Sequence, residues 1–152
     1  MISFQSKFME TNGNPFEYKG KMIRLYDYFK IPYKRTKLKL KFIKTNSEWK
    51  QGISIAFRKK GFFYFKKQKI KKGIHLWEHT APNEVVFEVE TKEKEILIYN
   101  VWEDEDKFVQ TGHNGAALFF EQIENGKRYY CNDGHPDDDF DELIFELTVV
   151  NE

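Results

Sequence analysis

One cysteine, four prolines and nine glycines in 152 residues leave this chain few means of fixing its backbone covalently or bending it sharply. Cys131 stands alone, which excludes an internal disulfide and is compatible with a reducing compartment. Nowhere does the chain reach the roughly 18 apolar residues of a membrane span, and Met1 to Asn14 hold no apolar signal core. The expected setting is therefore cytoplasmic, with any membrane contact peripheral. Internal repeats, low-complexity tracts and linkers are missing too. The expectation is one domain over 1–152, with 1–36 as an N-terminal extension or an extra strand.

What the chain does have is rings and period-two alternation. Aromatics make up 17% of it, including 15 Phe and 8 Tyr, so large rings carried on strands should build the core. From Lys37 to Thr45, Leu38, Leu40 and Phe42 point one way and Lys37, Lys39 and Lys41 the other. Similar runs at Gly52–Arg58, Phe62–Ile70, Asn83–Glu90, Glu95–Val101, Ala116–Ile123, Lys127–Asn132 and Glu142–Val149 predict an all-β fold. About eight strands fit a two-sheet antiparallel β-sandwich. Glu124-Asn125-Gly126 predicts a tight hairpin turn, because Asn and Gly tolerate positive φ.

Charge is segregated along the chain. Residues 1–72 hold 20 of the 25 Lys and Arg but only 4 of the 24 Asp and Glu, a charge of +16 against −15 for the rest. Such asymmetry bears on partners more than on fold. Lys37, Lys39 and Lys41 form a row on one strand face, followed by Lys59 and Lys60 and then by Lys66, Lys67 and Lys69 beside Phe62, Phe63, Tyr64 and Phe65. These lysines are the candidate anion-binding residues, for an anionic membrane surface first and another polyanion such as nucleic acid second. Two alternatives stand beside that reading. The lysines can pair across strands with Glu84, Glu88 and Glu90, or the opposite charges can drive head-to-tail self-association.

The order of features from Gly52 to Asp106 resembles a C2 domain, an eight-stranded sandwich found in many membrane-docking proteins. Ile53 to Phe57 resembles its second strand, Lys59 to Lys72 its lysine-rich strands, and Trp77 to Val89 its proline-tryptophan turn with an F-x-F-x-V strand, although here Pro82 follows Trp77. Ile96 to Asp106 resembles the strand and acidic loop that hold calcium. The resemblance implies that Asp104 and Asp106 are ion ligands and that the lysines meet anionic headgroups. C2 sites also take aspartates from an earlier loop, where residues 45–52 offer only Glu48.

A second acidic cluster runs from Cys131 to Asp141. Asp137, Asp139 and Asp141, with Asp133, can supply the converging oxygens a calcium ion requires. The spacing is not that of an EF-hand, since Glu142 follows Asp141 and Thr148 stands at the bidentate position. Zinc is the weaker candidate, because Cys131, His135, His75 and His79 lack a paired Cys-x-x-Cys element. A hydrolase built on Cys131 with His113 or His135 lacks an elbow or oxyanion signature. Trp49, Trp77 and Trp102 suit a carbohydrate-binding surface if exposed and a core if buried. The expected function is a non-enzymatic binding module for an anionic partner, lipid headgroups preferred, with a candidate calcium loop. The alternative is a carbohydrate- or protein-binding sandwich.

Overall fold

A computed structural model describes residues 4–71, 73–103, 109–111, 116–133 and 139–150. It is an antiparallel β-sandwich. Among the described residues fourteen strands appear where eight were expected, because short segments carry strands and one expected strand is two.

The larger sheet is built on β4 (Arg35–Thr45), which lies between β9 (Glu84–Glu90) and β14 (Leu143–Val149). Beyond β14 come β13 (Gly126–Asn132) and β12 (Ala117–Ile123); beyond β9 come β6 (Phe62–Phe65) and β7 (Gln68–Ile70). The smaller sheet orders β11 (Val109–Gln110), β10 (Glu95–Glu103), β5 (Lys50–Ala56) and β8 (Ile74–Trp77), and β3 (Asp27–Lys30) also pairs with β10. Alternation explains the packing. Leu38, Leu40, Phe42, Val85, Phe87, Phe145 and Leu147 from the larger sheet meet Phe29, Ile53, Ile55, Ile96 and Ile98 from the smaller one in a single buried cluster.

Residues before β3 do more than extend the chain. A helix, α1 (Phe4–Glu10), and a ribbon of β1 (Phe16–Tyr18) and β2 (Lys21–Ile23) form a second cluster in which Phe4, Phe8 and Ile23 bury against Ala117 and Phe140. Ala117 and Phe119 alternate with Leu118 and Phe120, which belong to the main core, so this cluster covers the opposite face of β12. Arg24 and Leu118 exchange both backbone hydrogen bonds at 2.8 Å, closing the edge of β12.

One turn departs from expectation, and the expected β12–β13 hairpin is present with a different role for its glycine. The run Phe62–Ile70 is a hairpin, with Lys66 and Lys67 in the turn at φ 48° and 68°. No glycine or asparagine marks it. In the β12–β13 hairpin the positive φ belongs to Asn125, at 65°, and Gly126 already pairs with Ile123. Gly126 is required by space: a Cβ there would collide with the Leu147 carbonyl oxygen on β14. Gly126→Ala should lower unfolding free energy by about 2 to 3 kcal/mol, the usual cost of overpacking. Urea denaturation measures it; a loss below about 0.5 kcal/mol would show that β14 gives way freely.

Candidate functional site

The register of β4 decides what the strand lysines face. Lys37 lies opposite Glu88, Lys41 opposite Glu84, and Arg35 opposite Glu90 on β9. On the other side Lys41 lies opposite Glu146 of β14, which in turn faces Arg128 of β13 and then Glu121 of β12. Glu121, Arg128, Glu146, Lys41 and Glu84 thus form one transverse row of alternating sign across five strands. Arg128 contacts Glu146 at 2.6 Å and Glu121 at 3.1 Å. Arg35 Nε lies 2.6 Å from Glu88, and its guanidinium sits 4.0 Å above the Tyr64 ring. The Glu88 hydrogen bond raises the Arg35 pKa. Lys39 is the exception in the lysine row, opposite Val86 and Thr148. Lys69 on β7 lies opposite Tyr64 and 4.1 Å over Phe62. Lys66 and Lys67 are exposed at the hairpin turn.

Lysines on the loops have different surroundings. At the end of the sandwich where β4 and β10 begin and β5 and β9 finish, Lys34, Lys59, Lys60 and Lys92 surround a cavity of about 390 Å³. Gly61, Phe62, Glu90, Thr91 and Glu93 complete its wall. Thr91, 3% exposed, ties the three loops together. Its N–H donates to the Lys34 carbonyl at 2.8 Å, and its hydroxyl lies 2.9 Å from the Lys60 carbonyl. The Tyr64 hydroxyl donates to Glu90 at 2.7 Å and holds its pKa below the ordinary value, so Glu90 stays ionised beside the lysines. Arg58 is engaged with Glu95 at 2.7 Å. Tyr33, on the loop leading to Lys34, is 70% exposed.

Sequence reasoning found Lys59 and Lys60 and missed Lys34, Lys92 and Thr91. Lys34 sits in the Pro-interrupted segment and Lys92 in the acidic half. Only the pairing of β4 with β9 brings them together, and a lone Thr between Glu90 and Lys92 carries no signal of its role.

The opposite end is acidic. Asp133 is buried and accepts hydrogen bonds from Ser47 Oγ at 2.7 Å and Gln51 Nε2 at 2.9 Å. Asp141 accepts from Asn46 Nδ2 at 3.0 Å, with Lys44 at 3.9 Å. Exposed Asp139 lines a 460 Å³ depression with Glu48, Asp141 and Glu142. Asp133 and Asp141 tie the chain around Asn132 and Phe140 to residues 45–51. Among the described residues no three His, Cys, Asp or Glu side chains converge on a metal position. Asp104, Asp106 and Asp137, and His113 and His135, lie outside the described residues.

Cys131 lies in the main core with no exposure, and burial pushes its thiol well above the ordinary value. That environment opposes the thiolate a nucleophile or zinc ligand requires. Trp102 is 1% exposed, so it is a core residue and offers a sugar no face. Trp77 is half-buried between His75 and His79, its ring packed so closely on Gly52 that a Cβ there would lie 2.8 Å from it.

One buried polar group joins the sheets. Asp27 of β3 accepts from Lys127 Nζ at 2.8 Å and from the Tyr129 hydroxyl at 2.6 Å, both on β13. Lys127 also sits 3.9 Å from the Phe120 ring centroid. It borders an open cleft of about 620 Å³ with Tyr28, Phe29, Pro32 and Gln122.

No protein-family model, curated protein or solved structure matches the chain.

Burial, with the Asp27 charge beside it, holds the Tyr129 phenol well above its ordinary value of 10.0. A raised folded-state pKa gives stability that is whole below about pH 10 and is lost as pH rises past it toward the folded value. Unfolding free energy should therefore fall between about pH 9.5 and 11, and Tyr129→Phe should flatten that fall. Equal slopes for the two proteins in urea titrations would place the alkaline loss elsewhere.

Proposed function

We propose that this domain is a non-enzymatic binding module that docks its lysine-lined end on the headgroups of anionic lipids. One observation carries the reading: Lys34, Lys59, Lys60 and Lys92 converge around a single cavity, held by Thr91. On the sheet face Lys37 and Lys41 lie in register with carboxylates and are partly neutralised there, while Lys39 faces Val86 and Thr148. Loop lysines outnumber the two glutamates that share their cavity, leaving a local positive excess that attracts phosphate. The exposed Tyr33 ring beside Lys34 suits a membrane interface, where an aromatic body and a polar tip are both accommodated. The C2-like order of features supports the same partner. No step of the reading runs through calcium, because Asp133 and Asp141 already serve as hydrogen-bond acceptors within the fold.

Each lysine near an anionic surface contributes about 1 kcal/mol. Co-sedimentation with phosphatidylserine-containing vesicles should exceed that with pure phosphatidylcholine and decline steeply with salt. Lys59→Ala with Lys60→Ala should weaken binding at least tenfold, whereas Lys41→Ala, flanked by Glu84 and Glu146, should change it less than threefold. Equal binding to neutral and anionic vesicles would refute the proposal.

A further inference from the structure

On the outer face of the smaller sheet, register gathers aromatic rings around a floor of small side chains. Ile53 and Ile55 of β5 and Ile96 and Ile98 of β10 point into the core, so Gly52, Ser54 and Ala56, with Leu97 and Tyr99 beside them, lie on the opposite face. Trp77 of β8 stands opposite Gly52, and His75 opposite Ser54. Tyr28 of β3 stands opposite Leu97. The floor along β5 therefore runs between Trp77 and His75 on one side and Tyr99 and Tyr28 on the other, and all four side chains keep some exposure.

A Cβ on Gly52 would lie 2.8 Å and 3.1 Å from indole atoms Cε3 and Cδ2, so the Trp77 ring lies across β5 and turns its second face away from the sheet. The His75 and His79 rings flank it at centroid distances of 6.2 and 6.1 Å, inclined by 88° and 60°. Polar groups around the ring are unused. Among the described residues the Trp77 indole N–H, the Tyr99 hydroxyl and the hydroxyl of Ser54, a residue only 3% exposed, have no hydrogen-bond partner, and each of these atoms keeps contact with solvent. Water serves such groups until a ligand replaces it. Charge is confined to the two ends of the face, where Lys50 pairs with Glu103 at 3.8 Å and Arg58 with Glu95 at 2.7 Å. Between those pairs β5, β8 and β10 present no Asp, Glu, Lys or Arg on this face, in a chain that is 32% charged.

We propose that this face binds a neutral oligosaccharide, one sugar ring stacking its C–H face on Trp77 while its hydroxyls bond to His75, Ser54 and Tyr99. A pyranose has an apolar face and a rim of hydroxyls that both donate and accept, which matches an indole surrounded by imidazole and hydroxyl groups. A phosphate or a carboxylate would find no cation between the two ion pairs. From Gly52 to Ala56 the floor runs about 13 Å, and the strands that carry its walls stand about 9.6 Å apart, which accommodates a chain of sugar rings along β5. None of Trp77, His75, Ser54 and Tyr99 lines the lysine-walled cavity, so the two sites are independent.

The test is calorimetric titration of the whole protein with cellohexaose, xylohexaose, mannohexaose and laminarihexaose, and with hexagalacturonate as an anionic counterpart. At least one neutral hexasaccharide should bind saturably, with an affinity that salt barely changes. Trp77→Ala should weaken that binding by about tenfold or more. Tyr99→Phe keeps the ring and removes one hydroxyl, and should weaken it by about fivefold, the loss of one hydrogen bond. Lys59→Ala with Lys60→Ala should leave it unchanged, so failure of vesicle docking and failure of sugar binding are read separately. No binding of any neutral hexasaccharide, tighter binding of hexagalacturonate, or unchanged affinity in Trp77→Ala or Tyr99→Phe would each overturn the assignment.

Discussion

The position of β4 between β9 and β14 is the constraint on which the rest of the structure depends. Hydrogen bonding on both sides fixes its register, and period-two alternation then sends Leu38, Leu40 and Phe42 into the core and the lysines outward. A slip of one residue would expose the leucines and bury the lysines. The same register sets Arg35, Lys37 and Lys41 opposite Glu90, Glu88 and Glu84, while Lys39 faces Val86 and Thr148. A basic N-terminal half and an acidic C-terminal half, separated in sequence, are interleaved in the sheet.

That interleaving separates two kinds of charge. Many charges on strands face opposite charges, as in the row from Glu121 to Glu84. Charges on loops lie beyond the ladder, so Lys34, Lys59, Lys60 and Lys92 collect at one end while Glu48, Asp139 and Asp141 collect at the other. The molecule is close to neutral in total and polar along its strands. The carboxylate of Asp27, buried between the sheets, is answered directly by Lys127 and Tyr129.

The β-sandwich was legible because Lys37–Thr45 and the other long runs alternate cleanly, and alternation needs only local sequence. Strands of three residues, such as Phe16–Tyr18 and Lys21–Ile23, are too short to show a period, and α1 buries only Phe4 and Phe8. The Lys66-Lys67 turn was hidden because lysine rarely takes positive φ. Gly126 was recognised for the wrong reason: its neighbour Leu147 is distant in sequence, so the steric need could not be read locally. At the candidate site Lys59 and Lys60 stood out by composition, whereas Thr91 acts through contacts that only tertiary structure creates.

The central claim is that register converts segregated sequence charge into paired strand charge. Its most direct test is a charge-reversal cycle on Lys41 and Glu84, measuring unfolding free energy for Lys41→Glu, Glu84→Lys and the two together. Each reversal alone places like charges opposite one another and should destabilise, and the pair should recover about 0.5 to 1 kcal/mol relative to the sum of the singles. Strict additivity of the two substitutions would contradict the account.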